Sequence, residues 1–132
     1  MKKLSFHILR VGLAITFLWI GFLILKAPEA WGGYLQPWAV RLLPVPLPEA
    51  MMGAAIVDLA IGFFLLIDSF VWLAALIGAM HIVIVLITSG ITDITVRDIA
   101  IVAAASALSI DSLPQTLTDK IVTWKKTKSQ QV

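Results

Sequence analysis

Residues 11–25 form a run of fifteen positions without a charged side chain, and three more apolar stretches follow at residues 50–67, 70–87 and 99–110. A helix needs roughly 20 mostly apolar residues to cross about 30 Å of hydrocarbon. The second stretch is interrupted only by Asp58 and the third only by His81. Such a pattern restricts the chain to a helical membrane fold, because lipid offers the backbone no hydrogen-bonding partner.

Composition supports that reading: 60% of the 132 residues are hydrophobic and 14% are charged. A soluble domain is typically about 45–50% apolar and about 25% charged. A chain this short could not bury the excess in one core. Its length allows one domain. Cysteine is absent, which excludes disulfides, thiolate metal sites and thiol redox chemistry. The net charge of +2 gives no reason to expect nucleic acid as a partner.

Two of the stretches are short, which fixes where their helices must extend. Fifteen residues at about 1.5 Å each cover only about 22 Å. The first helix is therefore expected to start near Leu4, with Arg10 snorkelling to the inner headgroups. The fourth is expected to begin near Thr95 and end near Leu113. That places Arg97 and Asp98 in its first turns, with Asp93 as its N-cap. No small-x-small cleavage site follows the first stretch, so a removable signal peptide is not expected.

The expected fold is all-α: an antiparallel bundle of four transmembrane helices at about residues 4–26, 49–67, 70–88 and 95–113. These form a membrane domain over residues 1–113, followed by a basic cytoplasmic tail over residues 114–132. The tail reads as a short surface helix with a frayed end and with Trp124 as an anchor. Orientation follows from the basic residues. Lys2, Lys3, Arg10, Lys120, Lys125, Lys126 and Lys128 lie on the terminal side, against Lys26, Arg41 and Arg97 on the other. Seven against three places both termini in the cytoplasm of a multi-pass cell-membrane protein. Asp68 and Ser69 alone link helices two and three, forcing a hairpin. The long loop over residues 26–49 carries Trp31, Tyr34 and Trp38. They suit headgroup anchoring more than a lid. Pro28 suits the first position of a short helix, and Pro44, Pro46 and Pro48 suit an extended approach to helix two.

Ionisable groups at membrane depth are costly and mark candidate sites. Asp58 and His81 lie at similar depth on the two helices of one hairpin. Ala54 and Gly62 around Asp58, and Ala74 and Gly78 before His81, permit close helix approach and turn both side chains inward. Two readings stand side by side. The pair fixes helix register, or it binds a ligand and relays a proton. A quinone headgroup, flanked by aromatics such as Trp19 and Trp72, fits the second. Arg97, Ala104 and Asp111 repeat at seven-residue spacing along one stripe. Arg97 can pair with Asp93, Asp58, Glu49 or a bound anion, and Lys26 and Glu49 can complete a polar outer pocket. A plain interfacial salt-bridge network is the alternative. No metal site and no covalently bound cofactor are expected.

Arg10-x-Gly12, followed by Phe17, Gly21 and Lys26, resembles the opening helix of DoxX-like proteins. Residues 53–62, with Asp58 where that family usually has Glu, resemble its second helix. Asp93-Ile-Thr-Val-Arg97-Asp98-Ile resembles the polar lead-in to its last. The resemblance covers about residues 5–112. It implies a four-helix membrane protein, in some members an accessory subunit of a redox system that contacts quinone or a partner oxidoreductase. It adds Arg10, Lys26, Asp58, Arg97 and Asp98 as candidate site residues, while His81 rests on the helix argument alone. Other functions compatible with the sequence are a small proton-coupled exporter and a non-catalytic structural subunit, either of them able to form homo-oligomers. The exporter reading is weakened by the acid lying in the second helix instead of the first.

Overall fold

The computed structural model of the protein describes residues 3–130; Lys2 of the basic terminal cluster lies outside them. The described residues are helical without strands: α1 Lys3–Lys26, α2 Pro28–Gly32, α3 Pro37–Arg41, α4 Leu47–Leu66, α5 Val71–Ser89, α6 Val96–Asp111 and α7 Gln115–Ser129. Three of these, α1, α4 and α5, are long and apolar enough to cross a membrane. Their outward faces carry large apolar side chains such as Ile15, Trp19, Ile56, Phe63, Met80 and Ile84, more than a water-facing surface tolerates. With 16 residues, α6 spans about 24 Å.

α1 lies along α4, α4 along α5, α5 along α6, and α6 touches α1. The α1–α4 contact is the closest, and glycine makes it so. A Cβ on Gly62 would stand 2.7 Å from Leu18 and 3.0 Å from the Ala14 carbonyl. A Cβ on Gly21 would stand 3.0 Å from the Ala55 carbonyl and 3.2 Å from Cβ of Asp58. The pairs Ala14/Gly21 and Ala55/Gly62 have the same seven-residue spacing, so each helix offers a smooth stripe to the other's backbone. Gly62, beside Asp58, thus serves α1, whereas Gly78 of α5 lies against both Phe17 of α1 and Ile61 of α4.

α4 and α5 are joined by residues 67–70, two more than expected. The turn is a Schellman motif: Ser69 N–H donates to Phe64 O at 3.1 Å and Asp68 N–H to Leu65 O at 3.4 Å. Asp68 takes the left-handed position (φ 58°) that glycine usually fills, and Phe70 follows at φ 50°. This turn defines the hairpin end of the molecule; the long connection over residues 27–46 defines the loop end.

Arg10 corrects the snorkelling expectation. It is 8% exposed, and its guanidinium closes the hairpin end. Nη1 donates to the carbonyls of Leu65 and, at 3.0 Å, of Leu66; Nη2 lies 3.3 Å from His7 Nδ1, and Nε 3.3 Å from Asp68 Oδ1. The last carbonyls of a helix lack intrahelical donors and carry partial negative charge, so a cation placed there stabilises the end of α4.

At the hairpin end Leu13, Ala14, Leu65, Ala75, Ala105 and Leu108 belong to one buried cluster. At the loop end only Ile24, Met51 and Ala55 form a buried cluster, flanked by Trp31, Leu35 and Leu47. Phe17, 2% exposed, separates the two halves. The loop carries the short helix expected at Pro28, α2, and a second one, α3, opened by Pro37. Pro46, at φ −53° and ψ 147°, leads into α4, and Pro48 already lies in its first turn. Beyond Pro114, α7 is one 15-residue helix with no buried residue.

Candidate functional site

The incomplete core at the loop end leaves a cavity of about 460 Å³. Its walls are Thr16, Phe17, Ile20 and Ile24 of α1; Ala50, Met51, Ala54 and Asp58 of α4; His81, Ile82, Val85 and Ser89 of α5; and Arg97, Asp98 and Ile101 of α6. Trp31, Tyr34, Leu35 and Leu43 close over it from the long loop. The lining is mostly apolar with a few convergent polar groups, the usual make-up of a small-molecule site.

Asp58 and His81 meet at its floor. His81 Nε2 lies 3.1 Å from Asp58 Oδ1. Asp58 is 2% exposed, and its Oδ1 accepts no aligned hydrogen bond among the described residues. Both helices extend further at the loop end than their apolar stretches suggest, α4 starting at Leu47 and α5 ending at Ser89. Asp58 therefore lies about 16 Å and His81 about 12 Å from the loop end. This is mid-helix, deeper than the sequence implied, and an unshared carboxylate is most expensive there. The close approach of α1 at Gly21 shields Asp58 from the outside, so its carboxyl is directed to the cavity.

Arg97 and Asp98 stand on the α6 wall of the same cavity. Asp98 interacts electrostatically with Arg97 and, across the cavity, with Asp58. Four of the seven sequence candidates are thus brought together. The other three are not. Arg10 is at the opposite end of the molecule. Lys26 is exposed, with Nζ 5.6 Å from the Phe22 ring centroid. Glu49 is exposed in the first turn of α4. Neither Lys26 nor Glu49 lines the cavity.

Two local expectations for α6 also change. Asp93 does not cap the helix. Instead Thr95 Oγ1 accepts from Thr92 N–H at 2.7 Å and donates to Gly90 O at 2.6 Å, tying the α5–α6 turn together. Arg97 does not pair with Asp93; its Nε donates to Ile94 O at 3.1 Å. The aromatics differ as well. Trp19 is 64% exposed and Trp72 serves α6 through its carbonyl, which accepts from Ser109 Oγ at 2.9 Å. The rings at the cavity are Phe17, Trp31 and Tyr34.

No protein-family model, curated protein or solved structure matches the chain. The DoxX-like reading therefore stands on the residues that carry it in the sequence.

Sequence reasoning ranked a lid below headgroup anchoring for the long loop, and Trp31 and Tyr34 line the cavity. Gln36 N–H donates to Thr88 O at 2.9 Å, satisfying a carbonyl in the last turn of α5. Gly90, at φ 77° and ψ 173°, has a conformation open to glycine alone, and the Gln36 amide nitrogen occupies the space its Cβ would need, 2.5 Å away. Trp38 Nε1 donates to Gln36 Oε1 at 2.8 Å. The loop is therefore fastened across the cavity to α5. The available signal was a glycine three residues after the third apolar stretch together with a loop rich in aromatics.

Proposed function

We propose that this chain is a four-span membrane protein that binds a small, largely apolar molecule with a hydrogen-bonding head, and that quinone is the ligand class it fits best. The observation that carries the reading is the meeting of Asp58 and His81 at the floor of a mainly apolar cavity of about 460 Å³. A purely structural pair would be expected inside filled core. Here Asp58 Oδ1 is buried beside the cavity and accepts no aligned hydrogen bond among the described residues. An imidazole and a carboxyl can each hydrogen-bond a carbonyl or hydroxyl group of a quinone or quinol, and the apolar walls suit its ring and chain.

In this reading α6 is the fourth span. The ring of contacts through α1, α4, α5 and α6 supports it, as do the exposed Ile99 and Ile110 on its outer face. Both termini lie on the cytoplasmic side, following the excess of Lys and Arg there. The chain acts as an accessory subunit in a membrane redox system, in keeping with its DoxX-like residues. The cavity supplies the ligand site and a partner oxidoreductase the electron transfer.

The test uses chain purified from native membranes in mild detergent. Bound lipids are extracted and analysed, and a short-chain quinone is titrated while thermal unfolding is followed. A retained quinone, and a saturable rise in Tm that Asp58→Asn and His81→Gln abolish, are the expected results. Absence of both overturns the quinone assignment. Efflux lost in Asp58→Asn, with no quinone effect, moves the reading to a proton-coupled exporter.

A further inference from the structure

α7 touches no core and buries none of its residues, yet its side chains are not distributed as on a helix surrounded by water. Leu117, Ile121 and Trp124 are spaced four and three apart and form one stripe. Ile121 is 48% and Trp124 60% exposed. Lys120 and Lys125 flank the stripe, and Lys128 continues it, with Nζ 4.4 Å over the Trp124 ring. Asp119, the single acid in the helix, falls on the opposite face. α7 follows α6 directly after Pro114, at the same end of the molecule as Lys3 and the Arg10–Asp68 turn.

We propose that α7 lies in the membrane interface and binds anionic lipid headgroups, its apolar stripe directed towards the acyl chains and its lysines towards phosphate. The proposal rests on the reading of α1, α4 and α5 as membrane spans, because those spans hold α7 at a bilayer surface. An apolar stripe edged with ammonium groups is the pattern of an interfacial helix. Four lysines against one aspartate provide the charge complementarity. Neutral lipid would satisfy the stripe and leave the ammonium groups without counter-charge. The lipid surface is also within reach without any partner protein.

The absence of native cysteine allows clean single-site labelling. The variants Ile121→Cys and Thr123→Cys in the full chain carry a nitroxide label on and off the stripe. Each is reconstituted in phosphatidylcholine vesicles and in vesicles containing about one-third phosphatidylglycerol. In the anionic vesicles, collision of a water-soluble nickel relaxant with the label at residue 121 is expected to be about threefold less frequent than at residue 123. The difference should shrink in neutral vesicles, in about 0.5 M salt, and when the four lysines are changed to Gln. Equal accessibility of the two positions in anionic vesicles overturns the proposal. Protection at 121 that is the same in neutral vesicles and indifferent to the lysines overturns the anionic-lipid assignment. Flotation separates the two layers of the argument: chain that does not float with vesicles sinks the membrane reading and this proposal together, whereas chain that floats with residue 121 still exposed sinks the proposal alone.

Discussion

Nε2 of His81 stands 3.1 Å from Oδ1 of Asp58, a carboxylate that is 2% exposed and shares a cavity with Arg97 and Asp98. Among the described residues that oxygen accepts no aligned hydrogen bond, and the imidazole nitrogen is the polar group set against it. Breaking a buried pair leaves a stranded polar group, so Asp58→Asn and His81→Gln should each lower the unfolding free energy by about 1–3 kcal/mol. The double variant should lose less than the sum, with a coupling of about 1–2 kcal/mol. Unfolding of reconstituted chain in denaturing detergent measures this. Additive losses would mean that the two side chains do not interact energetically.

Arg10 makes a different prediction because it acts on backbone. Arg10→Met removes the donors to Leu65 and Leu66 and should destabilise by about 2–4 kcal/mol. Asp68, with a side chain 48% exposed, contributes much less through its charge, so Asp68→Asn should cost under about 1 kcal/mol. The same unfolding assay ranks the two. If both variants lose equally, the ion pair matters and the capping of α4 does not.

Two glycines of α4 should respond oppositely to alanine. A Cβ at Gly62 meets Leu18 and the Ala14 carbonyl of α1, whereas a Cβ at Gly53 meets nothing within 4 Å. Gly62→Ala should therefore destabilise by about 1–3 kcal/mol through forced separation of α1 and α4. Gly53→Ala should be neutral or gain up to about 1 kcal/mol, as expected for an open helical site. A stabilising Gly62→Ala would contradict the close helix contact.

The loop fastened by Gln36 should govern how long a ligand stays. Tyr34 lines the cavity and is 42% exposed, so its ring can be removed with little loss of core. Tyr34→Ala should raise ligand dissociation about tenfold and change association much less. Stopped-flow displacement of a bound quinone measures both rates. An unchanged dissociation rate would remove the loop from the site.

The apolar helices were legible in the sequence because hydrophobic runs of this length have few alternatives. Asp58 and His81 were legible as a pair because two ionisable groups on one hairpin have little choice but each other. What the sequence did not disclose depended on the third dimension. The small residues around Asp58 announce a close helix approach but not its partner, because a smooth stripe fits any helix equally well; at Gly62 that partner is α1. Arg10 was assigned to headgroups because its distance from the terminus permits snorkelling. Only the path of α4 shows that the carbonyls of Leu65 and Leu66 end within its reach. Trp31 and Tyr34 looked like interface anchors, since nothing in their spacing encodes the Gln36–Thr88 bond that folds the loop back. The cavity itself is a deficit of packing at one end, and a linear pattern does not record a deficit.

Native mass spectrometry of the chain released directly from membranes is the most direct measurement of a ligand-filled cavity. The expected spectrum contains chain carrying one small apolar molecule of quinone mass, and Asp58→Asn should release it while remaining folded and inserted. Bare chain alone, from membranes rich in quinone and under conditions that preserve bound phospholipid, would contradict the assignment of this cavity as a quinone site.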